Sequence, residues 1–180
     1  QQTGGRGRLA RKWFSPENTG VWMSLIIKPN IPIYQAPQLT LLTAVAAAKA
    51  IEEQISIAPY IKWPNDLLLN NKKITGILTE MQAEADSIHS IIIGIGINVN
   101  QKKTDFPEEL QEIASSLQIE TGQIFAREAI ISSFLRHFEN LYMVYQKEGF
   151  AVVKELWESY AISVGRTITA TTINKKIVGV

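Results

Sequence analysis

A basic, glycine-rich segment near the start of the chain combines residue types that can bind an anion. Residues 4–8 (GGRGR) are followed closely by Arg11, Lys12 and Trp13. Glycines let backbone N–H groups approach an anion, and arginines match two oxygens of a phosphate or carboxylate. Two interpretations are open, because short glycine-rich matches are weak signals: a loop over a phosphate-bearing substrate, or a solvated Gly/Arg turn.

A second cluster, residues 62–66 (KWPND), places one carboxylate just beyond a stiff corner. Pro64 restricts its own φ angle and keeps Trp63 extended. Asp66 can hold a magnesium ion, which prefers carboxylate and phosphate oxygens. The alternative interpretation is an ordinary Asn-Asp turn between two strands.

A third cluster, residues 72–78 (KKITGIL), brings a lysine to the start of a strand. Alternation along the strand predicts that Ile74, Gly76 and Leu78 share one face. A glycine inside an apolar strand indicates either the close approach of a ligand or a bulge. Lys73 is accordingly either a substrate-binding cation or a solvated turn lysine.

A fourth cluster, residues 94–100 (GIGINVN), repeats glycine within a strongly β-branched strand. The segment lacks the third glycine of G-x-G-x-x-G, and no helix pattern follows it, which excludes a Rossmann nucleotide site. The sequence also lacks G-x-x-x-x-G-K-[ST], so an ATP site would be of another type. Two glycines in a buried strand indicate that something packs flat against the backbone.

Composition excludes several other chemistries. The sequence has no cysteine, which removes disulfide frameworks, cysteine nucleophiles and cysteine-ligated zinc and fits a reducing cytoplasm. Its two histidines, His89 and His137, fall in unrelated elements without metal-ligand spacing. The net charge of +1 does not indicate a nucleic-acid or membrane partner. No apolar run reaches the roughly 18–20 residues that a membrane helix needs.

The elements that must position these clusters are short strands and longer helices. After a loop over residues 2–11, strands are predicted over 21–28, 60–63, 67–69, 73–81 and 88–97, with a hairpin turn at Asn70-Asn71. Helices are predicted over 38–55, after a connector over 29–37, and over 107–117, 125–147 and 150–160. Strands over 167–170 and 176–180, with a turn at Asn174, look like the start of a small barrel. This pattern predicts an α+β fold with a mixed, mainly antiparallel sheet flanked by helices.

Taken together and in this order, the clusters closely resemble the biotin protein ligase family. The resemblance implies the class II aminoacyl-tRNA synthetase-like fold of biotin and lipoate ligases. It also implies a catalytic domain over residues 1–163, without its N-terminal part, and a truncated start of a C-terminal SH3-like domain over 164–180. We therefore expect the chain to be part of a longer polypeptide. The segments that carry the resemblance are residues 2–8 (QTGGRGR), 11–16 (RKWFSP), 62–66, 73–78 and 94–98.

The chemistry of that family implies ATP-dependent activation of biotin. The biotin carboxylate attacks the α-phosphorus of ATP and gives biotinyl-5′-AMP, and a lysine of a biotin carboxyl carrier domain of acetyl-CoA carboxylase then displaces AMP. Fixed cations and Mg²⁺ offset the repulsion between the two anions. The resemblance thus implies biotin and ATP with Mg²⁺ as substrates, no prosthetic group, no membrane, no nucleic acid bound by this portion, a cytoplasmic location and a homodimer paired through sheet edges.

The resemblance also implies roles for individual residues. Lys73 is the expected catalytic cation at the carboxylate and α-phosphate, and Arg8 and Arg11 are expected in the catalytic loop that orders over the adenylate. The expected biotin contacts are Gln2, Gly5, Arg6, Lys73, Gly76 and Gly94. The expected nucleotide contacts are Arg8, Arg11, Trp13, Asn65 and Asn98, and Asp66 is the expected magnesium ligand.

The chain departs from the family's pattern in three places. Ala10 stands where the family usually has glycine, the Ser/Thr-rich segment before the basic loop is absent, and the barrel stops after its opening strands. Activity of the chain by itself is therefore an open question. The alternatives are a lipoate-ligase-like acyl adenylate transferase and a bifunctional ligase and repressor, which needs an upstream helix-turn-helix. A non-catalytic biotin-binding domain is disfavoured by Lys73, Asp66 and Arg8.

Overall fold

The strands that carry the second, third and fourth clusters lie in one five-stranded sheet. The computed structural model describes residues 1–84, 87–171 and 175–179. Strands follow the order β1-β5-β4-β3-β2 across the sheet, and every neighbouring pair is antiparallel, where the sequence predicted a mixed, mainly antiparallel sheet. Their bounds are β1 Gly20–Ile27, β2 Tyr60–Lys62, β3 Asp66–Leu69, β4 Lys72–Glu84 and β5 Ser87–Asn98.

Helices cover one face of this sheet. Helix α1 packs against α3, α4 and β4, and its run of alanines is fully buried, which brings the helix backbone close to its neighbours. None of the helices in the described part of the chain is both long and apolar enough to cross a membrane. The α-helices of the described residues are α1 Ala36–Ile55, α2 Leu117–Thr121, α3 Arg127–Glu148 and α4 Ala151–Tyr160.

The two faces of the sheet differ in burial: helices cover one, and the other is open. The covered face forms the core, and each fully buried aliphatic side chain there contributes about 1.5–3 kcal/mol relative to an exposed one. Because side chains alternate along a strand, the positions between these core residues point to the opposite, open face. Gly76, Gly94 and Gly96 lie on that open face. The core residues of the covered face include Val21, Ile61, Leu67, Ile77, Ile93, Ile95 and Ile97.

The predicted helix over residues 107–117 is wrong. A single 3-10 turn, Glu108–Leu110, is followed by hydrogen-bonded turns over residues 111–113 and an isolated bridge from Ala114 to Lys73. We call residues 111–115 the strap. The Lys73 N–H donates to the Ile113 carbonyl and the Ser115 N–H donates to the Lys73 carbonyl, both at 2.9 Å. Backbone groups that a helix would pair internally are therefore paired with β4.

The other predicted elements are present with shifted ends. β4 continues to Glu84, and α1 begins at Ala36 with Pro37 in its first turn, where the missing N–H has no helical partner to lose. Strands β6 (Ile168–Thr171) and β7 (Lys176–Gly179) form a separate antiparallel pair, which fits the start of a small barrel. The predicted turn at Asn174 and the predicted last strand residue, Val180, lie outside the described residues.

Candidate active site

One transverse row of the open face forms the floor of the candidate site. The pairing runs from Trp22 on β1 to Gly96 on β5, then to Gly76 on β4 and Asp66 on β3. The two central positions are glycines, so the floor is bare backbone between an indole and a carboxylate. A planar group can therefore lie directly on the sheet.

The indole of Trp13 covers this floor. A Cβ added to Gly96 would lie 2.5 Å from the Trp13 ring, and one added to Gly76 would lie 2.8 Å from it. Trp22 meets the same indole edge-on, with ring centroids 6.1 Å apart. The close packing predicted for Gly94 and Gly96 is therefore found at Gly96, and Trp13 is the group that packs there.

Gly94 differs from the two covered glycines. An added Cβ at Gly94 would meet, among the described residues, only Leu78, at 3.5 Å from its carbonyl oxygen, which is an ordinary contact. Gly94 pairs with Ser24 and Leu78 one row away from the Trp13-covered floor. The space above Gly94 is therefore open and borders the indole.

Lys73 stands at the end of the floor opposite Trp22. Its Nζ lies 2.7 Å from Asp66 Oδ1 and 5.2 Å from the centroid of the Trp13 ring. The Lys73 and Asp66 side chains are 31% and 26% exposed, so the amine reaches the open space above the floor, which we call the cleft. A carboxylate and an aromatic face offset part of the charge of the amine. Of the interpretations open for Lys73, a plain solvated lysine does not describe this environment.

A bulge explains why Lys73 faces the cleft. Register shifts between Leu67 and Leu68, so Leu67 pairs with Thr75 while Leu68 pairs with Lys73. The residue left over is Ile74, which is fully buried in the core, and the expectation that it shares a face with Gly76 is wrong. Without the bulge, strict alternation would send Lys73 to the covered face.

The basic loop folds into a small hairpin. The Gly7 N–H donates to the Arg11 carbonyl at 2.7 Å, and the Trp13 N–H donates to the Gly5 carbonyl at 2.9 Å. At the tip, Leu9 and Ala10 both have a φ of 56°, a left-handed conformation that is unfavourable for residues with a Cβ. The hairpin holds Trp13 at its base, next to the sheet.

Asn65 joins the basic loop to the sheet. Arg8 Nη1 donates to Asn65 Oδ1 at 3.3 Å, and Asn65 Nδ2 donates to the Ile77 carbonyl at 2.9 Å. The Ile77 N–H in turn donates to the Asn65 carbonyl at 3.0 Å. The preceding Trp63–Pro64 bond is cis. The first three clusters therefore meet at one place, although the first is more than 50 residues before the other two.

Ser15, to which the sequence pattern assigned no role, holds Gln2. Ser15 is 4% exposed, its Oγ donates to Gln2 Oε1 at 3.0 Å, and its carbonyl accepts from the Gln2 N–H at 3.2 Å. A Cβ at Gly5 would lie 2.6 Å from the Trp13 carbonyl and 2.8 Å from Ser15 Oγ. The chain therefore needs glycine at position 5.

The remaining expected site residues lie in two different environments. Arg6 and Arg11 are exposed on the hairpin. Asn98 is only 3% exposed: its Nδ2 donates to the Ser115 carbonyl at 2.9 Å and its Oδ1 accepts from Gln101 Nε2 at 3.0 Å. Asn98 is thus an internal brace at the end of β5.

The side chains near Asp66 determine how a magnesium ion could be held. Within residues 1–84, 87–171 and 175–179, no three His, Cys, Asp or Glu side chains form a metal-binding cluster. Asp66 supplies one carboxylate, already paired with Lys73. This set does not fit an ion held by protein ligands alone, but fits one that keeps most of its ligands from substrate phosphates and water.

Comparison with known families agrees with this arrangement. The sequence profile of the biotin/lipoate A/B protein ligase family matches residues 1–98 of the 180-residue chain, the part that contains the basic hairpin, β1 to β5 and α1. The chain belongs to the biotin/lipoate A/B protein ligase family.

Relatives of this ligase-family chain narrow the resemblance to biotin ligases. It is 53% identical over 179 residues to the bifunctional ligase/repressor BirA of Bacillus subtilis (strain 168), covering 99% of this chain and 55% of that protein. It is 30% identical over 175 residues to the biotin–[acetyl-CoA-carboxylase] ligase of Paracoccus denitrificans, covering 96% of this chain and 72% of that protein. The chain thus spans about half the length of the Bacillus relative.

The fold of the ligase-family chain matches as well. The biotin protein ligase from Aquifex aeolicus, in complex with biotin and ATP, superposes with a TM-score of 0.85 and is 33% identical. The match covers 99% of this chain and 72% of that one. The predicted family and the predicted fold are both confirmed.

Proposed function

We propose that the protein activates biotin with ATP, forming biotinyl-5′-AMP, and then transfers biotin to a lysine of a biotin carboxyl carrier domain. The observation that carries this proposal is the Lys73 amine at the end of a glycine-floored cleft roofed by the basic hairpin. The names of the relatives support the choice of acid, since the Aquifex structure holds biotin and ATP and the Paracoccus relative is a biotin–[acetyl-CoA-carboxylase] ligase.

The first step brings two anions together. A carboxylate oxygen of biotin attacks the α-phosphorus of ATP, the new O–P bond forms, and the bond to pyrophosphate breaks. Lys73 would stabilise the negative charge that develops on the transferring group. Arg8, already tied to Asn65, and the exposed Arg11 lie on the hairpin that can cover the adenylate.

The two substrates would share the open face of the sheet. The clear space above Gly94 suits a flat ring system, and the neighbouring Gly76 and the loop residues Gln2, Gly5 and Arg6 border it in our proposal. The nucleotide would lie on the Trp13 and Asn65 side, with Asn98 as an internal support at the end of β5. Two hydrogen bonds support this arrangement. The bond from Ser15 to Gln2 holds the hairpin on the proposed biotin side, and the bond from Arg8 to Asn65 holds it on the proposed nucleotide side.

Magnesium enters the proposal only with ATP. Asp66 is the residue that would take one position on the ion, and the ion would supply charge neutralisation on the phosphates. Within the chain itself, Asp66 also holds the Lys73 amine at the end of the cleft.

The second step needs no covalent enzyme intermediate. The acceptor lysine amine attacks the mixed anhydride, an amide bond forms, and AMP leaves. In the proposal the acceptor is the biotin carboxyl carrier domain of acetyl-CoA carboxylase and the location is the cytoplasm. A homodimer is also proposed, since β1 is an edge strand with Ile26 69% exposed.

Biotin-dependent ATP–pyrophosphate exchange tests the proposal directly. The full-length protein should catalyse exchange with biotin and not with lipoate, and Lys73→Ala should lower the rate by on the order of 100-fold. Exchange with lipoate would favour a lipoate-ligase-like enzyme instead. If neither acid supports exchange, the proposed adenylation is refuted. Calorimetric titration with biotin would then show whether the protein binds biotin without activating it.

A second candidate function, transcriptional repression, is favoured by one observation. The Bacillus relative is named a bifunctional ligase/repressor, although the match covers only 55% of its length. The residues that match contribute a near-neutral net charge of +1, so DNA contact is not proposed for this portion. A mobility-shift assay of the full-length protein on its own upstream DNA, with and without biotin and ATP, decides the point.

A further inference from the structure

We propose, on the basis of the function proposed above, that Glu120 on α2 is a positioning residue for Lys73. The Glu120 side chain lies at neither the floor nor the hairpin, and it acts through the backbone segments that flank the lysine. Its contacts were not foreseeable from local sequence, because its partner Asn70 is 50 residues away.

The backbone of Lys73 is bracketed by the strap. β5 pairs with β4 only as far as Thr75, opposite Ile97. At Lys73 the strap takes the place of β5: it accepts the Lys73 N–H at Ile113 and donates to the Lys73 carbonyl from Ser115, at 2.9 Å each. Any movement of the strap therefore moves the origin of the Lys73 side chain.

Glu120 ties the strap to the turn that precedes Lys73. One carboxylate oxygen accepts from Ser115 Oγ, and the other accepts from Asn70 Nδ2 at 2.6 Å. Asn70 begins the β3–β4 turn with a φ of 48°, and β4 starts two residues later. A single carboxylate thus joins the segments on both sides of Lys73.

The inner end of the strap is fixed by a buried polar network. Asn98 donates to the Ser115 carbonyl, and Gln101 donates to Asn98. Ser115, Asn98 and Gln101 are 0%, 3% and 0% exposed, so the hydrogen bonds between them offset part of the cost of burial, while Gln101 Oε1 has no partner among the described residues. This network holds the strap at Ser115, and Glu120 binds the hydroxyl of the same residue and links it to the β3–β4 turn.

The consequence for the reaction is geometric. Lys73 must place its ammonium within hydrogen-bond reach of the reacting oxygens, and a misplacement of about 1 Å can cost on the order of 100-fold in rate. Without Glu120, the β3–β4 turn loses its tie to Ser115. The main-chain bonds of Lys73 and the bond from Lys72 Nζ to the Gln111 carbonyl still join β4 to the strap. The origin of the Lys73 side chain is then held less tightly. The substrate contacts of the hairpin are unchanged, so binding should be affected less than turnover.

Kinetics of the full-length protein provide the first test. Glu120→Ala should lower kcat for biotin-dependent exchange by about 10-fold or more, with the KM for biotin nearly unchanged. Glu120→Gln keeps an acceptor for one partner but not for both, so its kcat should lie between those of the wild type and Glu120→Ala. Glu112→Ala is the matched control: Glu112 lies on the strap itself, but its partner is the exposed Lys103 at 3.1 Å, so the rate should not change.

A double-mutant cycle separates positioning from plain stability. In a Lys73→Ala background, Glu120→Ala should cost little further, because the group that it positions is gone. An equal fold-loss in both backgrounds would mean that Glu120 acts only on the fold, and would overturn the proposal.

Amide hydrogen exchange supplies a readout that does not depend on activity. Glu120→Ala should accelerate exchange at the Lys73 and Ser115 amides, while amides within α3 keep the wild-type rate. Faster exchange at these amides in a protein without biotin-dependent activity would refute the proposed function and leave the bracket around Lys73 in place. Unchanged exchange at both amides would refute the role of Glu120 whatever the activity.

Discussion

The indole of Trp13 lies flat on the backbone of Gly96, at a distance that leaves no room for a methyl group. A Cβ at Gly96 would approach three atoms of the ring within 2.5–2.6 Å. The neighbouring Gly94 lies two residues earlier on the same face of β5 and has an uncovered surface. Two alanine substitutions on one strand therefore have different physical consequences.

We predict that Gly96→Ala displaces Trp13 and destabilises the protein by about 1–3 kcal/mol through overpacking. Gly94→Ala should leave stability nearly unchanged, because its methyl group would make only ordinary contact with Leu78, and should instead weaken biotin binding. Chemical denaturation and calorimetric titration with biotin measure the two effects. Equal loss of stability in both variants would contradict the assignment of Trp13 to the floor.

Ser15→Ala should raise the KM for biotin several-fold and leave kcat nearly unchanged. The Ser15 hydroxyl orients the Gln2 amide, and a contact made equally in the ground and transition states changes only binding. The lost hydrogen bond should also cost about 1 kcal/mol of stability. Ser159→Ala on α4, where an exposed hydroxyl donates to the Leu156 carbonyl, is the control and should change neither constant.

Stability should depend on pH through Glu53. Its hydrogen bond from Arg136 is the largest of several interactions, with Ser133 and His137 next, that lower the pKa of Glu53 from 4.5 to about 2. A carboxyl whose pKa is depressed in the folded state stabilises the fold above about pH 4.5. That contribution is lost as the pH falls from about 4.5 towards 2.

Denaturation midpoints at pH 6, 4 and 3 test this dependence. Glu53→Gln should flatten the loss of stability over that range, because the titrating group that links α1 to α3 is gone. Glu139→Gln, at an exposed position on α3, should keep the wild-type pH dependence. An unchanged slope in the Glu53 variant would assign the acid sensitivity to other carboxylates.

Ala10→Gly should stabilise the hairpin of the basic loop. Ala10 has a φ of 56°, which costs a residue with a Cβ about 1 kcal/mol, and glycine adopts it freely. Part of this gain is offset by the greater freedom of glycine in the unfolded chain, so we expect less than about 1 kcal/mol. Ala10→Val should act in the opposite direction. Proteolytic susceptibility of the hairpin, compared across the three proteins, measures the difference.

Periodicity predicted the elements that are stabilised by their own local pattern. The long helices α1 and α3 and the β-branched strand β5 were found close to their true ends, since apolar spacing reflects the face that each element buries. The helix prediction over residues 107–117 was wrong because the backbone of Ser115 pairs with Lys73, more than 40 positions earlier. A competition of that kind is invisible in a local window.

The sequence predicted which residue types form the site, but not the contacts that connect them. Two glycines indicated a flat partner, but nothing in the sequence named Trp13 as that partner. Alternation placed Ile74 beside Gly76, whereas the bulge buries Ile74 and turns Lys73 toward the cleft. Bulges and long-range hydrogen bonds such as that between Asn70 and Glu120 depend on tertiary geometry, which composition and spacing do not encode.

The backbone docking of the strap has an evolutionary consequence. Lys73 is bracketed by the main-chain groups of Ile113 and Ser115, while the Ile113 side chain is 62% exposed. Drift at position 113 can therefore change the surface of the protein without disturbing the lysine. Proline at position 115 cannot be accepted in the same way, because it removes the N–H that the lysine carbonyl requires. Selection at position 113 should act on main-chain geometry more strongly than on side-chain identity.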